Sequence, residues 1–263
     1  MHQHLSQHPD LALPSDLKEV HFFDLHWDRG LEWYNGLFAG ETPGQQRWEA
    51  TPNYLYIDNA RERIQQTLTN PKFVVLLRDP PARSLSHYRR YVANTDRTAT
   101  FSNACAARRN LVRYSQYSEF LPAYFETFGR EAFLVLFYED IASRPVELLR
   151  EVTDFMGLEP MDLSEDVLRA RVNEAPAPRF PRLHVVMEKS KRWLNRSGLG
   201  RIVDVARSSG LRKLVTGGKA NHVTPPLGQK DAELLETLRH KEIAALKALN
   251  IDASHWAGLP LPK

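Results

Sequence analysis

The segment that most constrains the fold is 72–77 (KFVVLL), an apolar run with β-branched residues that leads directly into the sequence RDPP. Such a run predicts a strand buried on both faces, which is typical of a parallel sheet. Asp79 can cap a helix and Pro80 fits the first turn of one, so a helix is predicted over 82–92. A strand, a tight turn and a helix in this order are typical of nucleotide-binding α/β folds.

The same alternation of strand and helix continues to about residue 160. A second buried strand is predicted at 133–140 (FLVLFYED). Further helices are predicted at 28–38, 58–69, 115–128 and 147–156, the last ending at Gly157. After Pro160 no strand is predicted, prolines punctuate the chain, and a helix at 230–249 closes it. We therefore expect a doubly wound parallel sheet in 1–160, with 161–263 as a helical or irregular extension of the same domain.

The composition is that of an ordinary globular protein and narrows the range of partners. Hydrophobic residues make up 42% of the chain, and no stretch approaches the ~20 apolar residues of a membrane span. The first ten residues lack the basic and apolar regions of a signal peptide. The single cysteine, Cys105, excludes an internal disulfide, so a cytoplasmic location is expected. The net charge of +3 suits anionic ligands but is too small to indicate nucleic acid.

Arg78 and Ser86 form the first candidate site. Arg78 follows the predicted strand, at the edge where open α/β sheets bind their ligands. Ser86 lies about two helical turns further on. A phosphate between them would accept hydrogen bonds from a guanidinium and a hydroxyl. The alternative is that Arg78 pairs with Asp79 or another neighbouring carboxylate, and that Ser86 is an ordinary helix residue.

The sequence KEVHFFD supplies the second candidate site. If 17–24 is a short strand, then Glu19, His21 and Phe23 project to one side of it. A carboxylate beside an imidazole can remove a proton from a hydroxyl. The alternative is an edge strand whose polar side chains face solvent.

Two weaker signals accompany these candidates. The sequence YSQY at 114–117 places aromatic residues near a predicted helix start, where they more often belong to the core or its rim than to a ligand site. Three histidines lie among the first ten residues, but no further ligands accompany them, so a metal site is not expected.

Taken together, these segments resemble the sulfotransferase family, especially its heparan-sulfate 3-O- and N-sulfotransferase branch. The resemblance is close over 1–160 and loose beyond. The matching pieces are HPDL at 8–11, KEVHFFD at 18–24, GLEWY at 30–34, TPNYL at 51–55, RDPPARSLSHY at 78–88, SQY at 115–117 and YED at 138–140. The resemblance implies a P-loop-like fold and transfer of a sulfuryl group from 3′-phosphoadenosine-5′-phosphosulfate (PAPS), without a metal. The acceptor would be a hydroxyl or amine of a carbohydrate or small molecule.

The resemblance also implies roles for single residues. Glu19 matches the base that deprotonates the acceptor, and His21 and Asp24 match polar residues beside it. The residues matched to the donor are Arg78 and Ser86 at its 3′-phosphate, Ser115 and Tyr117 along its cleft, and Lys219 of GGKANH in a loop that closes over the 3′-phosphate.

Two departures from the family change these expectations. Ala50 stands where the heparan-sulfate branch has a lysine before the TP pair, which weighs against a heparan-like acceptor. The family places a phosphosulfate-binding loop, GxxKxGTT, and the first strand of the sheet before the HPD segment, whereas this chain begins at Met1 inside the next helix. We therefore expect a sheet lacking its first strand and weak or no catalysis by the chain as it stands. The competing functions are a non-catalytic protein that binds 3′-phosphoadenosine nucleotides and, less favoured, a nucleotide kinase.

Overall fold

The computed structural model describes residues 2–15, 17, 19–160, 177–178, 216–218 and 224–262. The chain divides into two compact units. The first contains Met1–Asp79, Gln116–Val172 and Glu242–Ser254, and the second contains Pro80–Ser115, Asn173–Lys241 and His255–Lys263.

The described strands form three pairs. They are β1 (Leu11–Ala12), β2 (Gln46–Arg47), β3 (Phe73–Leu77), β4 (Phe133–Phe137), β5 (Ala177–Pro178) and β6 (Thr216–Gly218). β1 pairs with β2 and β3 with β4, both in parallel, while β5 and β6 are antiparallel. The two strands predicted from their apolar runs are confirmed as β3 and β4, although β4 ends at Phe137 and most residues of both strands are only partly buried. The expectation that strands disappear after Pro160 is wrong, because β5 and β6 are too short and too poor in apolar residues to be recognised in the sequence.

Helices connect these strands. The α-helices described are α1 (His2–Leu5), α2 (Phe22–Leu25), α3 (Gly30–Gly36), α4 (Asp58–Thr67), α5 (Pro80–Asn94), α6 (Phe101–Ala107), α7 (Asn110–Arg113), α8 (Leu121–Phe128), α9 (Asp140–Ser143), α10 (Pro145–Met156) and α11 (Gln229–Ala248). Short 3-10 helices occupy Trp27–Arg29, Pro52–Tyr56, Tyr117–Glu119, Arg130–Ala132 and Ser254–Trp256. α3, α4, α5, α10 and α11 confirm predicted helices to within a few residues. The helix predicted at 115–128 is instead a 3-10 turn followed by α8, whose first turn carries a proline.

The strand predicted at 17–24 is wrong. The backbone turns at His21, which has the left-handed values φ 55° and ψ 29°, and α2 begins at the next residue. The neighbours Phe22 and Phe23 are both buried, with 0% and 1% exposure. Successive residues of a strand point to opposite faces, so adjacent buried phenylalanines favour a turn that folds both rings into one core.

Each unit has its own apolar core. In the first unit, α10 packs beside β4 through Leu136, Leu149 and Val152. A second, aromatic cluster in that unit surrounds Phe22 and Phe23 and includes Trp27, Trp33, Tyr34, Phe38 and Tyr54. The second unit packs α5, α6 and α7 around Leu85, Tyr88, Phe101 and Leu111. None of the described helices combines the length and apolar character needed to cross a membrane.

Candidate active site

Glu19, His21 and Asp24 lie together at the turn before α2. The Nδ1 atom of His21 lies 2.9 Å from Oδ2 of Asp24, and its Nε2 atom lies 3.3 Å from Oε2 of Glu19. The Asp24 side chain is 3% exposed, whereas that of Glu19 is 46% exposed. The structure therefore brings the three predicted residues together, with Asp24 on the buried side of the imidazole and Glu19 on the open side.

The charge of His21 follows from these two contacts. Hydrogen bonds to Asp24 and, second, to Glu19 raise the pKa of His21 to about 9, against the opposing effect of burial. His21 is therefore an imidazolium at neutral pH and has no lone pair with which to accept a proton. Among the three, the carboxylate of Glu19 is the group that is both exposed and able to act as a base.

Two hydroxyl groups hold the backbone of this turn. Oγ1 of Thr51 accepts from the amide nitrogens of Val20 and His21, at 3.0 and 3.4 Å. The hydroxyl of Tyr54 accepts from the amides of Phe22 and Phe23, at 2.9 and 3.4 Å. Both belong to the TPNYL segment, which contributed to the resemblance but was assigned no role. The sequence gave no signal of these contacts, because they join residues about thirty positions apart.

Arg78 leaves the carboxyl end of β3, as predicted. Its backbone is fixed on both sides by Tyr117, whose hydroxyl donates to the Arg78 carbonyl at 2.9 Å and accepts from its amide at 3.3 Å. Its guanidinium lies 4.5 Å from the ring centre of Tyr138, which is itself 46% exposed. Next to it, the amide of Asp79 donates to Oε1 of Glu139 at 3.0 Å. At the edge of the β3–β4 pair, the guanidinium of Arg78 therefore extends from a backbone that the Tyr117 hydroxyl holds in place.

The other predicted donor residues have different surroundings. Tyr117 is 2% exposed and Ser115 is completely buried, with its Oγ 2.9 Å from Oγ of Ser84. Ser86 is exposed on α5, in the second unit, whereas Arg78 belongs to the first. Lys219 lies outside the described residues.

The N-terminal histidines were not expected to bind a metal. His8 lies in contact with the backbone: its Nε2 is 2.9 Å from the Glu159 carbonyl and its Nδ1 accepts from the Asp10 amide at 3.1 Å. Across the described residues, no group of three or more His, Cys, Asp or Glu side chains is placed to hold a metal ion.

Comparisons with known proteins show which proteins the chain resembles. Mouse heparan sulfate glucosamine 3-O-sulfotransferase 6 is 35% identical to the chain over 164 residues, which is 59% of this chain and 47% of that protein. Human heparan sulfate glucosamine 3-O-sulfotransferase 3B1 is 29% identical over 163 residues, which is 59% of this chain and 41% of that protein. The chain thus spans about half the length of the curated relatives it matches.

A solved structure and a family profile extend the likeness beyond these segments. The crystal structure of a sulfotransferase from Alicyclobacillus acidocaldarius superimposes with a TM-score of 0.63 over 96% of this chain and 90% of that chain. At 21% identity it shows a shared fold of helices and parallel strands. The profile of the sulfotransferase domain matches residues 1–241. The chain therefore belongs to the sulfotransferase family.

Proposed function

We propose that this protein transfers a sulfuryl group from PAPS to a hydroxyl or amine of a carbohydrate or small-molecule acceptor, with Glu19 as the base. The observation that carries the proposal is the arrangement of Glu19, His21 and Asp24. It offers one exposed carboxylate, oriented by a charged imidazole that is held from behind by a buried carboxylate.

The residues of the turn perform the proton chemistry of this reaction. Glu19 takes the proton of the acceptor O–H or N–H as that oxygen or nitrogen forms a bond to sulfur. The bond between sulfur and the bridging oxygen breaks, and 3′-phosphoadenosine 5′-phosphate leaves. The imidazolium of His21 fixes the Glu19 carboxylate through Oε2, and Asp24 keeps the imidazole in place. As in phosphoryl transfer, positioning and charge neutralisation supply most of the catalysis.

The donor side of the proposal starts from Arg78. A guanidinium at the carboxyl end of a parallel strand is placed where α/β proteins bind nucleotides, and its geometry suits a phosphate. On the basis of the family resemblance, we also propose that the donor contacts Ser86, Ser115 and Tyr117. Lys219 is proposed on the same basis, for the loop over the 3′-phosphate.

The acceptor class is proposed from the relatives and corrected by the chain's own residues. The curated relatives are named for heparan sulfate glucosamine, which supports a carbohydrate acceptor. Ala50 lacks the cation that the sequence resemblance leads one to expect on the acceptor side. We therefore propose an acceptor less densely charged than heparan sulfate.

The test is a transfer assay with radiolabelled PAPS and two acceptor sets, N-sulfated heparan oligosaccharides and neutral hydroxylated sugars or phenols. We expect weak but measurable transfer to the second set, and a loss of about 10²–10⁴-fold in kcat for Glu19→Gln, as for removal of a general base. Glu32→Gln, which changes an exposed carboxylate on α3, is the matched control and should retain wild-type turnover. Binding of 3′-phosphoadenosine 5′-phosphate without any turnover would replace the proposal with a non-catalytic nucleotide-binding function.

A further inference from the structure

A buried carboxylate that the mechanism above does not use lies directly behind the catalytic turn. Glu49 accepts three hydroxyl hydrogen bonds. Tyr34 donates to its Oε1 at 3.0 Å, and Thr51 and Tyr54 donate to its Oε2 at 3.0 and 3.1 Å. Burial raises the pKa of Glu49, while these three hydrogen bonds oppose that shift. Burying a carboxylate costs free energy even when it accepts hydrogen bonds. Glu49 is therefore expected to have a role beyond packing.

The reason lies in the direction in which the hydroxyl groups point. Thr51 and Tyr54 each donate their single hydroxyl hydrogen to Oε2 of Glu49. Their lone pairs are then left facing away from it. Those lone pairs receive the amides of Val20 and His21 at Thr51, and of Phe22 at Tyr54.

We propose that Glu49 is a positioning residue for catalysis, which fixes the hydroxyls of Thr51 and Tyr54 so that they hold the backbone of residues 20–23 and aim Glu19 and His21. Glu49 makes no contact with His21 itself and acts through these two hydroxyls. The effect of Glu49 on turnover rests on the proposed function. Its effect on the position of His21 rests on the hydrogen-bond geometry alone.

The need for such support is visible in the turn itself. His21 has a left-handed backbone conformation, which a residue other than glycine adopts at a cost of about 1–2 kcal/mol. The conformation persists only when its surroundings impose it. The amides on both sides of His21 are bound by the hydroxyls that Glu49 orients, so releasing them would let the turn relax and separate His21 from its two carboxylates.

The test measures the pKa of His21, which depends on its distance from Glu19 and Asp24, and it needs no substrate. We expect NMR titration to give His21 a pKa of about 9 in the wild type, and a pKa lower by about one unit or more in Glu49→Leu and in Thr51→Val. The groups facing His21 are Glu19, Asp24 and His26, and none of them is changed by these variants. The conservative variants should restore the shift. Thr51→Ser keeps the hydroxyl, and Glu49→Gln can turn its carbonyl toward Thr51 and Tyr54 and its amide toward Tyr34.

A matched control separates positioning from a loss of stability. Glu242 is also fully buried and accepts from a hydroxyl and an amide, both of Ser118, and it is not among the groups that shift the pKa of His21. Glu242→Leu should lower the unfolding temperature and leave the His21 pKa at about 9. If His21 titrates near 9 in folded Glu49→Leu and Thr51→Val as well, the proposal is overturned.

Turnover then reports the catalytic consequence. In the PAPS assay we expect kcat of Glu49→Leu to fall by about 100-fold, the scale of a 1 Å misplacement, while the affinity for 3′-phosphoadenosine 5′-phosphate is unchanged. An unchanged kcat alongside a shifted His21 pKa would overturn the catalytic part of the proposal. A wild type without turnover would instead refute the proposed function, and the titration would still decide the role of Glu49.

Discussion

At His21 one imidazole lies between two carboxylates of very different exposure, on a backbone turned into the left-handed region. The strain of that conformation is of the same order as a good charge-assisted hydrogen bond. The ion pairs of His21 with Glu19 and Asp24 therefore offset the free-energy cost of its backbone conformation, which an uncharged side chain would not offset. Local geometry and protonation are coupled at this residue, and the coupling can be measured.

The first prediction concerns the pH dependence of stability. The folded pKa of His21, about 9, lies above its ordinary value of 6.5. Its ion pairs thus contribute fully below pH 6.5 and are lost as the pH rises through 9. We expect the free energy of unfolding in urea to fall by about 1–3 kcal/mol between pH 6.5 and 9.5 on account of this group.

His21→Asn is the comparison for that measurement, because asparagine tolerates the left-handed conformation but does not titrate. Its unfolding free energy should be lower than that of the wild type at pH 6.5 and should converge with it near pH 9.5. The same pH slope in both proteins would mean that His21 does not gain its stability from Glu19 and Asp24.

The sequence identified the residues of this site but not their arrangement. Glu19, His21 and Asp24 were found through the family resemblance, and the structure brings them together. The strand that was expected to carry them is wrong, because the pattern around His21 was interpreted from alternation alone. The hydroxyls of Thr51 and Tyr54, which are distant in sequence, determine the local structure at His21. A local sequence pattern does not predict such contacts.

Among the elements, length decides what could be predicted. β3 and β4 are five-residue apolar runs, and an apolar run of that length can be recognised in the sequence. β1, β2, β5 and β6 have two or three residues each, and their pairing depends on tertiary contacts. The longer helices were predicted because their caps and apolar spacing are local, as α10 shows.

The second prediction concerns the end of α10. The helix stops at Gly157, which has the left-handed values φ 72° and ψ 36° and a space free of other atoms where a Cβ would lie. Gly157→Ala should therefore destabilise the protein through backbone conformation alone, by about 1 kcal/mol. Urea unfolding measures the difference.

Gly36 provides the opposite case at the end of α3. It too has open space around a Cβ, but its φ is not in the positive region, and it lies within the helix. Gly36→Ala should be neutral or stabilising by up to about 1 kcal/mol. Equal effects of the two substitutions would show that the left-handed cap does not govern the end of α10.

At the scale of the whole molecule, family membership is better determined than organisation. The sulfotransferase profile covers residues 1–241, and a sulfotransferase of known structure shares the fold over nearly the whole chain. The predicted division into 1–160 and 161–263 stays a prediction, because most residues just after 160 lie outside those described. The predicted absence of the first strand and the reduced activity also stay predictions.

The last prediction tests the donor site in the intact chain. A ligand that binds only the folded state stabilises it, by about 2.7 kcal/mol at 100 times its Kd. For a chain of this size that raises the Tm by about 5–10 °C. We expect 3′-phosphoadenosine 5′-phosphate to produce such a shift, and Arg78→Ala to weaken binding by about 10–100-fold, as for loss of a hydrogen bond to a charged group.

Two controls assign that loss to the 3′-phosphate. Arg150→Ala removes an exposed arginine of α10 and should keep the full Tm shift. Adenosine 5′-phosphate, which lacks the 3′-phosphate, should bind wild type and Arg78→Ala equally, because the group that Arg78 contacts is missing. If Arg78→Ala weakened both nucleotides alike, Arg78 would support the fold of the β3 edge through its contact with Tyr138 and would not recognise the phosphate. If the wild type showed no shift with either nucleotide, the donor site proposed at this edge would be refuted.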